Sequence, residues 1–287
     1  GAKGDLGYIN KARPQGAQFV SWRDRIPAAY RNFQDIRQTF VTDQGILFVA
    51  RSYLFLINDQ EVRSWTSESA FMKAFQINDR ILIKEQDTGL LELKDGRLEP
   101  VNSTQPLADK AVFVAEQWNE NQVLIGTRDA GFFLLGPSGM QPFQMPASKE
   151  LDQAMIYTSQ RLRNGLLAIG TVRDGIYLLD QQGNIHSHIN KFSGMLDDNV
   201  RALMEDRQQG LWVAMDHGLA RVEASSAISM FNHVMGLKGN VLSLHRYQNQ
   251  LFAGTSQGLF RLQADGVKAA HFSAIDNFSN QTWDFAD

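Results

Sequence analysis

The sequence predicts an all-β protein, a β-propeller built from four-stranded antiparallel blades. Three observations predict it. A short apolar run recurs six times: "ILFVA" (46–50), "ILIKE" (81–85), "VLIGT" (123–127), "LAIGT" (167–171), "LWVAM" (211–215) and "LFAGT" (251–255). A turn follows each copy ("RSY", "QDTG", "RDAG", "VRDG", "DHG", "SQG"), and then a second apolar run: "LFLIND", "LLELKDG", "FFLLGPSG", "IYLLDQQG", "LARVEAS" and "LFRLQADG". Aligned on Ala50, Lys84, Gly126, Gly170, Ala214 and Gly254, the copies stand 34 to 44 residues apart. That is the period of a propeller blade.

Each element of the unit has its own signal. A further strand precedes every copy: "IRQTFVTD", "FMKAFQIN", "KAVFVAEQ", "AMIYTSQR", "VRALMEDR" and "VLSLHRYQ". A weaker fourth strand follows: "EVRSW", "RLEPV", "MQPF", "NIHSHI", "AISMF" and "VKAAHF". Between third and fourth strands, Asp95-Gly96, Ser138-Gly139, Gln182-Gly183 and Asp265-Gly266 supply hairpin-type turns, where glycine accepts the positive φ that a tight turn needs. One such sheet cannot bury both faces alone, so repetition is an energetic requirement. No helical pattern of 10–15 residues separates the strands, which argues against a parallel α/β fold. A solenoid would not need four meandering strands per unit.

The chain is expected to be a single domain over 1–287, with six full blades at about 36–272. The tail "QTWDFAD" (281–287) reads as the start of a further blade, and residues 1–35, for instance "GAQFVSW" (16–22), offer strands to close the ring. Seven blades closed by both termini is the expectation. An end inside an apolar strand also suits a piece of a longer protein.

Composition narrows the function classes. Of 287 residues 43% are hydrophobic and 21% charged, ordinary for a globular protein. The net charge of −3 gives no overall basic field for nucleic acid or anionic membrane, and Arg23-Asp24-Arg25 alternates in sign. No apolar run approaches the roughly 20 residues of a membrane helix, so neither nucleic acid nor direct membrane insertion is expected. The start "GAKGDLGYINK" has no signal-peptide core. The absence of cysteine removes disulfides, zinc–thiolate sites, iron–sulfur clusters and thiol nucleophiles, and suits an oxidising compartment.

With the repeats laid out, "MEDRQQGLWVAMDHGLARVE" resembles the two-component regulator propeller repeat, through Glu205, Asp206, Gly210, Leu211, Trp212, Val213, Ala214, Gly218, Leu219 and Arg221. "NQLFAGTSQGLFRL" (249–262) matches through Leu251, Gly254, Thr255, Gly258, Leu259 and Arg261, and "RNGLLAIGTVRDGIYLLD" (163–180) is a third match. "IRQTFVTDQGILFVA" (36–50) fits more loosely, and blade two departs most, with Lys84-Glu85 where the family usually has a small residue and Thr. The resemblance implies the periplasmic sensor region of a bacterial membrane receptor. In such receptors propellers lie outside the inner membrane, followed by a small β-sandwich, a membrane helix and a cytoplasmic histidine kinase or diguanylate cyclase. It implies as partners a small-molecule or oligosaccharide ligand, the other domains of the same receptor and a second copy in a homodimer.

Enzyme chemistry is weighed at the residues. The stretch nearest to a sialidase Asp-box, "EDRQQGLW" (205–212), has the wrong Asp–Gly spacing. Propeller glycosidases need two carboxylates about 5–9.5 Å apart, and Asp43, Asp79, Glu116, Glu205 and Asp206 are candidates that the sequence cannot pair. "HSH" (186–188) puts two imidazoles on one strand face without a third metal ligand nearby. No glycine-rich phosphate loop opens a helix. The expectation is therefore no enzyme, no metal and no cofactor. Asp216 and His217 occupy a turn between second and third strands, as do Arg128-Asp129 and Arg173-Asp174, which reads first as a solvated turn.

The candidate ligand-binding residues are Arg51, Lys84, Arg128, Arg173, Asp216 and His217. In a propeller the turns between second and third strands share a face with the links between blades. That face also gathers Asp87 and the link aromatics Trp65, Phe143, Phe192, Phe231 and Phe278. Arginine forks beside aromatic rings suit an acidic sugar. Lys84 stands where the other copies have Ala or Gly, so a lysine there implies locally open space, toward the channel, or a distorted blade.

Overall fold

The computed structural model describes residues 1–10, 18–223, 231, 233–263, 270–276 and 278–285. The chain divides into two compact units, Gly1–Phe143 and Gln144–Asp287.

The first unit opens with a two-stranded hairpin sheet, β1 (Gly7–Asn10) and β2 (Gln18–Ser21). Three four-stranded antiparallel sheets follow. They are β3 (Ile36–Thr42), β4 (Gly45–Ala50), β5 (Tyr53–Ile57) and β6 (Val62–Thr66); β7 (Phe71–Ile77), β8 (Arg80–Glu85), β9 (Gly89–Lys94) and β10 (Arg97–Pro100); and β11 (Val112–Asn119), β12 (Gln122–Thr127), β13 (Phe132–Gly136) and β14 (Gly139–Phe143). The second unit begins with a short helix, α1 (Ser148–Ala154), then β15 (Ile156–Arg161), β16 (Leu167–Thr171), β17 (Ile176–Leu179) and β18 (Ile185–Ile189). Next come β19 (Val200–Glu205), β20 (Leu211–Met215) and β21 (Leu219–Val222), then β22 (Val241–Tyr247), β23 (Gln250–Thr255), β24 (Gly258–Gln263) and β25 (His271–Ala274).

In every sheet the strands pair in chain order, the meander expected of a blade. Blade five has three strands among the described residues; its expected fourth, "AISMF" (227–231), lies outside them except Phe231. The Asp265-Gly266 turn and part of "VKAAHF" also lie outside, as do Gly16 and Ala17 of "GAQFVSW". The tail forms no strand over its described residues 281–285; Thr282 N–H donates to Thr255 O at 3.0 Å, beside blade six.

Second strands read as continuous apolar runs because both their faces are covered. Leu167–Thr171 is buried throughout, and so is Leu47–Ala50. In the first unit one cluster joins blades one and two (Leu47, Leu54, Phe71, Ile83) and another joins blades two and three (Leu82, Leu90, Val112, Ile125). The N-terminal segment adds Leu6, Ile26 and Phe33 to blade one, against Phe48 and Phe55. In the second unit Ala168, Ile176 and Leu178 of blade four pack on Val200, Leu211 and Val213 of blade five. Blade six has its own cluster around Phe260 and Phe272. Each fully buried Leu, Ile, Val or Phe contributes about 1.5–3 kcal/mol.

Two local devices recur. Thr127, Thr171 and Thr255 end their second strands, buried, and each hydroxyl donates across the turn, to Gly131 O (2.8 Å), Gly175 O (2.9 Å) and Gly258 O (3.1 Å). The same oxygens accept the turn amides of Ala130, Asp174 and Gln257. Those bonds satisfy buried backbone groups at the strand end and explain the threonine of the repeat. Every blade's first strand also carries a β-bulge near its start. The extra residues are Arg37, Met72, Phe113, Tyr157, Arg201 and Leu242. A bulge re-aims the side chain it carries.

Candidate functional site

The bulge and the turn between second and third strands lie at the same end of a blade, because the start of the first strand pairs with the end of the second. Val112 pairs with Thr127 in blade three, and Val200 with Met215 in blade five. The chain entering each blade closes over the same turn: Arg128 N–H donates to Ala111 O, Arg173 N–H to Ala154 O and Asp216 N–H to Asn199 O. Bulge side chains, turn side chains and blade links therefore form one rim within each unit.

In the first unit Arg51 is exposed on its turn. Arg128 is half-buried, with its guanidinium carbon 4.5 Å from the centre of the Phe113 ring. Lys73 approaches the same ring, its Nζ 5.0 Å from the centre and 3.1 Å from Phe113 O, to which it donates. Burial lowers the Lys73 ammonium to about 8, against the opposing pull of Glu116. Lys84 does not open onto space. It is 1% exposed, and its ammonium donates to the backbone carbonyls of Glu85 and of Ala108, the latter at 3.0 Å. Desolvation lowers its pKa. Lys84 fastens blade two to the following link, and the aliphatic stem fills the volume.

In the second unit the turn of blade five is paired internally. Asp216 takes both Nε and Nη2 of Arg201, the latter at 2.9 Å, and the Asn199 amide at 2.6 Å. The Arg201 guanidinium lies 5.1 Å from the Tyr157 ring centre. Arg201 holds the Asp216 carboxyl below its ordinary range. His217 projects into solvent, 87% exposed, with Nδ1 2.6 Å from Asp197 Oδ2. That bond is the main cause that brings Asp197 down to about 2; the Asn199 amide and the Lys191 ammonium at 3.6 Å also lower it. Arg173 is exposed. Its neighbour Asp174 accepts from Tyr177 Oη at 2.6 Å and Asn190 Nδ2 at 3.1 Å, while His188 stacks on Tyr177 at 4.1 Å.

The link aromatics divide. Phe143 packs edge-on to Trp118 at 5.4 Å, Phe231 packs edge-on to Phe272 at 5.3 Å, and Trp65 covers the cluster of blades one and two. Phe192 and Phe278 remain exposed at 63% and 47%. Sequence reasoning missed Lys73, Phe113, Tyr157 and Arg201, all first-strand residues at or beside the bulges.

The carboxylates open to acid–base work are mostly engaged. Asp206 accepts from Gln208 N (2.9 Å), Gly210 N (2.8 Å), Trp212 Nε1 (2.9 Å) and Arg221 Nε (2.8 Å). Arg221 first, and then the other donors, hold it far below the usual carboxylate range. Its neighbour Glu205 accepts the Arg163 amide and pairs with the Arg163 guanidinium. Asp43 lines a polar cavity of about 740 Å³ with Asn58, Asp59, Glu61 and Arg63, at the opposite end of blade one. Among the described residues no group of three or more His, Cys, Asp or Glu could hold a metal ion, and no helix is long and apolar enough to cross a membrane.

No protein-family model and no curated protein matches the chain. Solved structures do. The extracellular domain of a hybrid two-component system protein from B. thetaiotaomicron is similar over 88% of this chain and 34% of its own, at 16% identity and a TM-score of 0.52. Virginiamycin B lyase from Staphylococcus aureus is similar over 83% of both chains, at 13% identity and a TM-score of 0.52. PorZ, a surface component of the type-IX secretion system of Porphyromonas gingivalis, is similar over 88% of this chain and 43% of its own, at 14% identity and a TM-score of 0.52. The chain thus spans about a third of the extracellular domain it resembles. The class is therefore a β-propeller of four-stranded antiparallel blades. At the level of fold, its neighbours include the extracellular domains of hybrid two-component system proteins.

Proposed function

We propose that this chain is an extracytoplasmic ligand-sensing propeller of a bacterial transmembrane receptor, without catalysis of its own. In this reading it lies in the periplasm and binds a small molecule or oligosaccharide at the rim of bulges and turns. Binding shifts the population between arrangements of domains or subunits, and a cytoplasmic kinase or cyclase reads the shift. The observation that carries it is the state of Asp206 and Glu205. The carboxylates nearest to a catalytic pattern in the sequence are committed to Trp212, Arg221 and Arg163, while the rim presents cations on aromatic faces. The receptor domain among the structural neighbours supports the setting.

A propeller lyase is the second reading, and one observation favours it. Asp197 holds His217 by Nδ1, leaving Nε2 in solvent, the arrangement of an oriented general base. A thermal-shift screen against neutral, acidic and sulfated oligosaccharides, with a parallel assay for new chain ends, separates the two. Stabilisation by a ligand at about 100 times its Kd adds roughly 2.7 kcal/mol. A shift without turnover is the expected result. Turnover that His217→Ala abolishes would replace sensing with lysis.

A further inference from the structure

Every first strand carries its bulge at the same register. The residue before the bulge pairs with the last residue of the second strand: Ile36 with Ala50, Val112 with Thr127, Val200 with Met215. The bulge residue and the first residue of the following turn therefore stand side by side at the rim, one couple to a blade. In two blades the side chains of the couple touch. In blade three the Arg128 guanidinium carbon lies 4.5 Å from the centre of the Phe113 ring. In blade five Arg201 donates from Nε and Nη2 to the two carboxylate oxygens of Asp216.

Blade one has an arginine in both places, Arg37 on the bulge and Arg51 on the turn. Its turn has the length of the turn in blade five. Arg51-Ser52 joins Ala50 to Tyr53, and Asp216-His217 joins Met215 to Gly218; Val49 faces Leu54 in the one hairpin as Ala214 faces Leu219 in the other. Both arginines are exposed, and among the described residues neither guanidinium has a carboxylate or hydrogen-bond partner. No other blade couples two cations: the remaining couples are Met72 with Gln86, Tyr157 with Val172 and Leu242 with Ser256.

Two guanidiniums side by side gain nothing from each other, whereas an anion between them gains from both. Each presents a planar fork that matches a pair of oxygens. A carboxylate has two oxygens and fills one fork, as Asp216 does on Arg201. A tetrahedral oxyanion has oxygens, and charge, for both. We infer that the Arg37–Arg51 couple at the rim of blade one is a binding site for a tetrahedral oxyanion, a phosphate or sulfate group, bridging the two forks. Both side chains are open to solvent, so the ion reaches them without rearrangement of the blade. The inference does not depend on the receptor reading, since such a seat serves a sensor, a scaffold or an enzyme alike.

The test uses the whole chain. Sodium sulfate and sodium phosphate are titrated separately, against sodium chloride at matched ionic strength. NMR follows the Arg51 and Ser52 amides and the Nε–H resonances of Arg37 and Arg51. At least one oxyanion is expected to shift these signals to saturation, the tighter of the two naming the preferred group, while chloride leaves them in place. The Arg201 Nε–H, whose fork Asp216 fills, should not move. Arg37→Gln and Arg51→Gln should each weaken the response at least about 10-fold. Arg51→Asp copies the couple of blade five into blade one. It should abolish the oxyanion response and raise Tm by roughly 1–3 °C as a surface ion pair forms. A response shared by chloride, no saturation with either oxyanion, full affinity in both glutamine variants, or a Tm that does not rise in Arg51→Asp overturns the assignment.

Discussion

Gly170 is the sharpest point at which blade packing can be tested. It sits in β16, paired with Thr158 on one side and Ile176 on the other. A Cβ added there would lie 2.6 Å from Val200 Cγ1 in blade five and 2.7 Å from Thr158 Cγ2. Carbon atoms pack at about 3.5–4.0 Å, so roughly 1 Å of overlap must be relieved against Val200, which is fully buried. Gly170→Ala is therefore an overpacking change, expected to cost about 1–3 kcal/mol even though alanine suits a strand better than glycine does. For a domain of this size that lowers Tm by roughly 2–10 °C. Val200→Ala alone should cost about 2 kcal/mol from lost burial. It also removes one of the two methyls that the new Cβ strikes, while Thr158 Cγ2 stays, so the double variant should be about 0.5–1 kcal/mol more stable than the sum of the single changes predicts. Urea unfolding of the four proteins measures the cycle. Simple additivity, or a harmless Gly170→Ala, would mean that blades four and five do not meet at this contact.

Three further outcomes follow from the hydrogen bonds and charges. Asp206→Ala should lower Tm and alter the fluorescence of Trp212, because the indole N–H and the Arg221 guanidinium both lose their acceptor. Since the folded pKa of Asp206 is depressed, its contribution is present above the ordinary carboxylate range and is lost as pH falls through the folded value; acid unfolding of the variant should show a smaller dependence there. Lys73 adds a rise of the same sign in a higher pH window, because burial penalises its charged form. Its folded pKa of about 8 lies below the ordinary 10.5, so the unfolded chain binds more protons between those values and stability should rise with pH across that window, by at most about 3 kcal/mol. Lys73→Met should flatten the rise in urea unfolding from pH 7 to 10. Asp216→Ala removes the two oxygens that occupy Arg201, and acetate should then perturb the Arg201 Nε–H resonance, which it leaves unmoved in the wild type.

The blades were legible because burial on both faces writes itself into composition. A second strand such as "LAIGT" has no solvent side, so it reads as an unbroken apolar run, and "RDAG" and "VRDG" mark where it must turn. The threonine at its end was visible as a pattern. Its reason, a hydroxyl bridging the turn, is a matter of geometry. Lys84 stands out in the sequence as a large side chain among small ones, yet it is buried rather than open to space. The inference from a large side chain to open space failed because the lysine stem is itself apolar and Ala108 O, on the link beyond the blade, was within reach. That link contact is separated from Lys84 by 24 residues, and no local pattern announces it.

The bulges escaped for a different reason. One added residue changes the phase of alternation only from that point on, and in "AVFVAEQ" the short apolar residues on both sides of Phe113 hide the slip. Yet the bulge decides which side chains reach the rim. Its residue pairs with nothing in the sheet, so it can be Phe113 in one blade, Tyr157 in the next and Arg201 in another without disturbing the ladders on either side. The turn after the second strand has the same freedom in blades three and four, because the buried threonine and the backbone carry its structure whatever side chain, Arg128 or Arg173, comes next. Packing thus constrains the blade and leaves its rim open to variation. Two cations on two rings differ in this way: Arg201 is closed by the internal carboxylate of Asp216, and Arg128 lies on Phe113 with its Nε buried and unpartnered.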